Sequence, residues 1–581
     1  MIFNAPDFLP PLPEVPDNVP LCDFMFDEQY GRRPISQSLD AYTCGITGRS
    51  ISAEDQKSRV SFLARSLANE LGWKVNVGSE YDKVVGVFAH NTIDIMTVNW
   101  AIHRVNGISS PANAVYSVDE LKYQLSYSNC KALFTVMSLL PVALEAAAKS
   151  GLPKNRIYIC EMPGDGSVPA DYKTISQLIK DGQRLPDLEQ IRWSAGQGAR
   201  QTAFLCYSSG TSGLPKAVMI SHHNVIANTI QSCLFEKGSR DKISPDYRDV
   251  ALGLLPQSHI YGLVLIGHAS TYRGDQVIVL PKFETQTYLK AIAKYRINTL
   301  YLVPPIILMM AKNEELLNKF DLASVREIYS GAAPLAREIL QELTRRYPAW
   351  KIRQAYGLTE CSPLVTATIS EDVWPGSSGS LIPGCAIKLV DDDGNEVTGY
   401  DEAGEVLVRS PAVVLGYLKN EKATNETFID LPDGRFLRTG DKGEIRISPE
   451  SGVEHLWIVD RIKELIKVKG HQVAPAELEA YLLDHPAVAD CAVISVPDEA
   501  AGEVPKAFVV LSPSASLGSD SKETIARSIQ QYVEKGKARY KWISGGIQFV
   551  DVIPKSASGK ILRRLLRDSE RENRRAAGAK I

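Results

Sequence analysis

The chain has 581 residues, 44% apolar and 23% charged, with a formal net charge of −3 at pH 7. That length exceeds the size at which one core stops growing, so two or more domains are expected. The near balance of charge offers no overall basic field for nucleic acid or an anionic membrane, although the end of the chain is locally basic.

Nine cysteines run from Cys22 to Cys491 with no CxxC pair and no short Cys/His cluster. Neither a disulfide framework nor a zinc site is indicated, and a reducing compartment fits best. The opening Met1-Ile-Phe-Asn-Ala-Pro-Asp7 is acidic and Pro-rich where a signal peptide is basic and then apolar. No uninterrupted apolar run approaches the roughly 18 residues of a spanning helix, so neither secretion nor membrane insertion is expected.

An irregular, proline-containing segment extends to about Gly48, and Ile51-Ser-Ala-Glu-Asp55 then reads as the capped start of an amphipathic helix through Leu71. Val84-Val-Gly-Val-Phe-Ala89 is a short buried strand, Thr92 to Val105 a helix, and Gly107-Ile-Ser-Ser-Pro-Ala-Asn113 a turn-rich exit, which together make one βα unit. The alternation returns at Gln276-Val-Ile-Val-Leu-Pro281, the helical Thr287 to Tyr295 and Thr299-Leu-Tyr-Leu-Val-Pro304, for which a parallel crossover is the economical explanation. From about Gly394 short strands such as Gly404-Glu-Val-Leu-Val-Arg409 and Gly443-Glu-Ile-Arg-Ile447 are divided by Asp/Gly/Asn turns, as in a small β-subdomain over 394–460.

A domain boundary is placed at Asp460-Arg-Ile-Lys463. Beyond it a helix over Ala476 to Leu483, strands over Asp490 to Val496 and Lys506 to Leu511, and a helix over Glu523 to Lys535 make a compact α+β unit. The low-complexity Ser512-Pro-Ser-Ala-Ser-Leu-Gly-Ser-Asp-Ser521 reads as a solvated loop, and no repeat of 20–50 residues is present.

The stretch Tyr207-Ser-Ser-Gly-Thr-Ser-Gly-Leu-Pro-Lys-Ala-Val-Met-Ile-Ser-His-His-Asn224 carries the most chemistry. Gly210 and Gly213 allow backbone N–H groups to close on phosphate oxygens, Ser208, Ser209, Thr211 and Ser212 add hydroxyl donors, and Lys216 adds positive charge. Only two residues separate the glycines and the lysine precedes Ala217, so the spacing is not that of a P-loop NTPase.

The full stretch resembles the signature of the adenylate-forming superfamily, which includes acyl-CoA synthetases, 4-coumarate–CoA ligases, beetle luciferases and peptide-synthetase adenylation domains. Further blocks of that family follow in order. They are Leu255-Pro-Gln-Ser-His-Ile-Tyr-Gly262, Ser330-Gly-Ala-Ala-Pro334, Gln354-Ala-Tyr-Gly-Leu-Thr-Glu360, Arg438-Thr-Gly-Asp441, Asp460-Arg-Ile-Lys-Glu-Leu-Ile-Lys-Val-Lys-Gly470 and Pro554-Lys-Ser-Ala-Ser-Gly-Lys560. The chain is identified as a member on these blocks, with Val459 to Glu479 most similar to the 4-coumarate–CoA ligase and luciferase branch.

The resemblance implies an α/β fold: an N-terminal domain over 1–461 with two α/β sheet subdomains and the β-subdomain, hinged to a mobile α+β domain over 462–581 that ends in a basic tail at 568–581. It implies an ATP site of Ser208 to Gly213, Lys216, Ala332, Ala333, Gln354, Ala355, Tyr356, Gly357 and Thr359. Tyr356 would offer a flat face to adenine. Asp441 would accept both ribose hydroxyls, with Arg461 nearby. Relatives commonly have Gly where Ala355 stands, which tightens this wall. Glu360, with Thr211, is the candidate Mg²⁺ ligand, since that hard ion binds through one or two carboxylates plus substrate phosphates.

By the same resemblance Lys560 bridges the carboxylate and the α-phosphate, offsetting charge as pyrophosphate leaves. His259 lines the passage where carboxylate meets thiol. Lys463 is the hinge, and Lys467, Lys469, Gly470 and His471 face the site for thioester formation with CoA. Acyl-pocket walls are His259, Ile260, Tyr261, Pro304, Pro305, Gly331, Ala332, Gly357, Pro363 and Val365, suited to an aromatic or medium-length aliphatic acid. The expected reaction is acid plus ATP to acyl-adenylate and pyrophosphate, then CoA to acyl-CoA and AMP, by a monomer or homodimer.

Three other readings stand beside this one. An adenylating enzyme that loads a separate carrier protein remains open, although Leu517-Gly-Ser-Asp-Ser521 is no phosphopantetheine site, because Lys522 replaces the usual apolar residue and no four-helix module surrounds it. Luciferase-like oxidation shares every motif. A non-catalytic nucleotide-binding relative is disfavoured by the intact Lys560, Glu360 and Asp441. The terminal Ala579-Lys580-Ile581 keeps the small–basic–aliphatic pattern read by peroxisomal import receptors, which points to a peroxisome and otherwise to the cytoplasm. With the irregular N-terminus it suits a fungal ligase of secondary or fatty-acid metabolism.

Overall fold

The computed structural model describes residues 1–208, 215–469, 471–498, 501–516, 521–556 and 559–578. Helices and strands alternate through the first two thirds of the chain, and the described strands form four sheets. Among the described residues no helix is long and apolar enough to cross a membrane.

One seven-stranded sheet has the order Gly416–Tyr417, Lys216–Ser221, Thr202–Ser208, Ile108–Ala112, Val84–Phe88, Ala132–Thr135 and Ile157–Ile159. The five from Thr202–Ser208 onward are parallel, and the first two are antiparallel additions. The larger, nine-stranded sheet is parallel from Lys351–Gly357 through Glu327–Ser330, Thr299–Leu302, Val250–Gly253 and Gln276–Val279 to Tyr42–Cys44. A core containing Phe24, Tyr42, Trp100, Phe204 and Leu263 lies between these sheets, each of those side chains fully buried.

Local signals place the helices. Ser52 accepts the Asp55 N–H at 3.0 Å to start Ala53–Leu71, and Gly72 ends it with φ +66°. Ser221 and Asn224 close a reciprocal capping box at the head of His222–Asp241.

Three expectations change. Gly107 to Asn113 is not a turn-rich exit: Ile108–Ala112 is a buried central strand, despite Pro111. Its ladder to Thr202–Ser208 keeps a single pair, Ser109 opposite Phe204, and the Gln124 side chain satisfies the carbonyls of Ser110 and Pro111 at 3.3 and 3.1 Å. The opening segment is likewise not free of regular structure, since Tyr42–Cys44 joins the nine-stranded sheet and Phe3–Asn4 pairs with Ala386 and Ile387. The β-sheet beyond the large sheets begins at Ala386 and runs through Glu454–Arg461.

The C-terminal unit is a five-stranded sheet, with Val488–Asp498 paired to Gly502–Leu511, covered by Pro475–Leu483 and Lys522–Gly536. Its last helix, Arg563–Gly578, overlaps the expected basic tail: Glu570 is buried there and paired with Lys506 and Arg574, which anchors the helix, while Arg571, Arg574 and Arg575 stay exposed.

Candidate active site

The site lies at the carboxyl ends of the parallel strands, where open α/β sheets present their loops. Ser208 ends one strand and pairs with Lys216, which starts the next. Ser209, Gly210, Thr211, Ser212 and Gly213, between them, lie outside the described residues. The Lys216 ammonium sits over the Tyr417 ring, 4.2 Å from its centroid, and the Tyr417 hydroxyl donates to Glu360 Oε1 at 2.9 Å. Lys216 and the candidate metal carboxylate are therefore linked through one phenol. Sequence reasoning missed Tyr417, which carries no charge and lies in none of the quoted motifs.

Glu360 follows Thr359 in the short turn Thr359–Cys361, and its carbonyl accepts the Val414 N–H at 3.1 Å. Among the described residues no group of three or more His, Cys, Asp or Glu side chains could hold a metal ion. One half-buried carboxylate beside the strand end at Lys216 fits Mg²⁺ carried in with ATP, an ion that needs few protein ligands.

The wall expected to face the nucleoside is the strand Lys351–Gly357. The Tyr356 hydroxyl donates to Asp441 Oδ2 at 2.6 Å, and Arg461 Nε lies 3.4 Å from Oδ1. Asp441 is buried, and that burial raises its carboxyl above the usual range against the pull of Arg461. Gln354 turns its amide inward: Oε1 accepts the Leu335 N–H at 3.0 Å and Nε2 donates to the Ser377 carbonyl at 3.2 Å. Its side chain thus holds the turn carrying Ala332 and Ala333. Ala332 has φ +69°, a left-handed conformation that leaves it exposed beside the strand end. Ala355 faces Ala367, and Gly357 passes so close to Pro363 that a Cβ would lie 2.2 Å from the Pro363 carbonyl.

Lys560 reaches this wall from the C-terminal unit. It ends a tight turn in which Ser556 N–H donates to the Lys560 carbonyl at 2.8 Å and Gly559 has φ +80°. The turn rests on the other domain, since a Cβ on Gly559 would lie 3.3 Å from Val303 and 3.4 Å from Pro305. Burial and the Arg461 guanidinium lower the Lys560 ammonium to about 8, while Glu464, Asp441 and Glu360 oppose that shift. His259 is lowered to about 4 by burial and by Lys560, so its ring is neutral at physiological pH. Its Nδ1 accepts the Tyr261 N–H at 3.3 Å.

Tyr261 begins a nine-residue π-helix, Tyr261–Ala269, directly after the buried Ile260. Such helices are rare and cluster at functional sites. His268 supports this one: Nδ1 donates to the Leu263 carbonyl at 2.8 Å, and Nε2 accepts from Trp100 Nε1 at 3.1 Å. The Tyr261 ring lies against Gly331, where a Cβ would come within 2.7 Å of it, and its hydroxyl donates to the Tyr329 carbonyl at 3.2 Å. Pro304 and Pro305 start the helix Pro304–Lys312 and are half-buried, whereas Pro363 and Val365 are buried on the far strand.

Lys463, Lys467, Lys469 and His471 are exposed, and the structure does not bring them to the Lys560 cluster. Gly470 lies outside the described residues. The ring of His471 stacks on Tyr540 with centroids 4.5 Å apart, and the neighbouring Gln472 bonds Lys442 and Asp392 of the β-subdomain.

Residues 28–418 match the family model described as AMP-binding enzyme, and residues 477–560 match the AMP-binding enzyme C-terminal domain, whose last matched residue is Lys560. The chain belongs to the AMP-binding enzyme family. Members similar to it along nearly its whole length include the acyl-CoA ligase cm3C of Cordyceps militaris, 41% identical over 99% of this chain and 91% of that protein. The acyl-CoA ligase easD of Emericella nidulans is 40% identical over 98% of this chain and 100% of that protein. In fold the chain is similar to the anthranilate CoA ligase AuaEII solved with anthranoyl-AMP, with a TM-score of 0.78 at 24% identity over 96% of this chain and 98% of that one.

Proposed function

We propose that the protein is an AMP-forming carboxylate–CoA ligase. The observation that carries this reading is the contact of the Lys560 turn with Val303 and Pro305 of the large domain, together with the electrostatic influence of Lys560 on His259 and of Asp441 and Glu360 on Lys560. It supports a cation from the C-terminal unit acting between a nucleoside acceptor and an acyl pocket. In the first step a carboxylate oxygen attacks the α-phosphorus of ATP, the bond to the β-phosphate oxygen breaks, and pyrophosphate leaves. Asp441 fixes the ribose, Lys216 and the glycine-rich loop hold the leaving phosphates, and Lys560 offsets the negative charge shared by acid and α-phosphate. Mg²⁺ held by Glu360 would supply further charge neutralisation to those phosphates.

In the second step the CoA sulfur bonds to the acyl carbon and the carbon–oxygen bond to AMP breaks. Neutral His259 borders this passage without adding a second cation beside the thiol. The exposed Lys467, Lys469 and His471, away from the Lys560 cluster, support rotation about Lys463 between the steps, exchanging Lys560 for those residues.

The pocket closed by Tyr261 against Gly331 supports an aromatic or medium-chain aliphatic acid. Pyrophosphate release measured across cinnamic, benzoic, phenylacetic and C6–C18 fatty acids, with and without CoA, tests the reading. No release with any acid overturns it, and acyl transfer to a carrier protein but not to free CoA replaces the acceptor. Ala579-Lys580-Ile581, outside the described residues, supports import into peroxisomes. A tagged protein with a free C-terminus that stays cytosolic refutes that part.

A further inference from the structure

Tyr417 is the point where two parts of the phosphate site meet. Its ring is 5% exposed and packs on Phe428, with centroids 5.7 Å apart. Pairing of Gly416 and Tyr417 with Met219 and Val218 fixes the backbone, and Thr424 Oγ1 accepts the Tyr417 N–H at 3.0 Å. Gly416 has φ +144°, and a Cβ there would lie 2.5 Å from the Thr424 methyl. The phenol therefore has one place to stand, and the half-buried Glu360 and Lys216 meet it there.

A carboxylate can give a divalent cation one oxygen or two. Ca²⁺ accepts the two-oxygen mode in flexible geometry, whereas Mg²⁺ demands a small, near-octahedral shell. In Glu360 the Tyr417 hydroxyl takes up one acceptor site of Oε1 and so weakens that oxygen as a second metal donor, while among the described residues no side chain or backbone donor reaches Oε2. We propose that Tyr417 makes Glu360 a one-oxygen ligand and so selects Mg²⁺ over Ca²⁺ for the bound ATP, while its ring sets the position of the Lys216 ammonium. The inference rests on Glu360 as the metal carboxylate, and its test separates the two.

Tyr417→Phe keeps the ring beneath Lys216 and removes only the hydroxyl, whereas Tyr417→Leu removes both. ATP binding to the full-length protein is measured calorimetrically in EDTA, then at fixed subsaturating ATP with Mg²⁺ or Ca²⁺ titrated in. In the wild type Mg²⁺ half-saturates well below Ca²⁺. In Tyr417→Phe the ratio of half-saturating Ca²⁺ to Mg²⁺ falls about tenfold or more, the scale of one lost hydrogen bond to a charged group, with metal-free ATP affinity unchanged. Tyr417→Leu loses metal-free affinity as well, by roughly threefold.

An unchanged cation ratio in Tyr417→Phe overturns the selectivity role, and full metal-free affinity in Tyr417→Leu overturns the placement of Lys216. Wild-type ATP binding indifferent to both cations instead overturns Glu360 as a metal ligand, and the inference with it.

Discussion

The Tyr356 hydroxyl and the Asp441 carboxylate, 85 positions apart in the chain, meet in a hydrogen bond of 2.6 Å. The bond ties the aromatic wall expected to face adenine to the residue expected to hold ribose, so the two cannot move independently. Tyr356→Phe keeps the wall and releases the carboxylate. The expected result is a rise in KM for ATP of roughly 10- to 100-fold with kcat little changed, the scale of one hydrogen bond to a charged acceptor. Asp441→Ala raises it further, and steady-state kinetics at saturating acid and CoA decide between them.

The depressed ammonium of Lys560 gives a pH signature of defined sign. At about 8 against an ordinary value of 10.5, the group is charged below that range and neutral above it. The value of kcat/KM for ATP in adenylation falls as pH rises through about 8, while thioesterification of a supplied acyl-adenylate does not follow it. Stability runs the other way. The unfolded chain keeps this proton to a higher pH than the folded one, so the contribution of Lys560 to stability increases with pH between about 8 and 10.5. Lys560→Met removes both inflections.

Division of labour between the half-reactions predicts opposite losses. Lys560→Ala abolishes adenylate formation and leaves thioester formation from supplied acyl-adenylate; Lys467→Ala does roughly the reverse. Equal loss of both half-reactions in both variants would falsify the rotation. Gly559→Ala joins the first class, because φ +80° and contact with Val303 and Pro305 leave a side chain no comfortable place. It lowers adenylation about tenfold without touching a reacting group, a strain of roughly 1–2 kcal/mol.

Gly331→Ala probes the acyl pocket alone. Its Cβ would sit 2.7 Å from the Tyr261 ring, and overpacking of this kind costs roughly 1–3 kcal/mol. KM for the preferred acid rises by about tenfold or more while KM for ATP is unchanged. Gly331→Ala with Tyr261→Phe does not rescue it, whereas a smaller residue at position 261 does.

Much of this site was legible because its chemistry is local. Lys216, Glu360, Asp441, Arg461 and Lys560 each announce themselves by charge in a short block, and the fold brings them to one wall. What the sequence hid was supplied by partners far along the chain. Pro111 and its neighbouring serines read as a turn until the Gln124 side chain replaced the missing ladder bonds. The π-helix after Ile260 has no period that an apolar pattern betrays, and its support is the distant pair Trp100 and His268. The packing of the helix after Arg563 was hidden because Lys506, which pairs with the buried Glu570, lies in another strand.

The pairing of Phe3 and Asn4 with Ile387 and Ala386 also bears on how the molecule is made. During synthesis the first strand has no neighbour until the ribosome has delivered Ile387, so a buried aromatic waits unpaired through most of translation. Contacts this remote in sequence form late and leave apolar surface open meanwhile. A nascent chain halted before Ala386 therefore leaves Phe3 and Asn4 without their strand partner and the Phe3 ring without its cover.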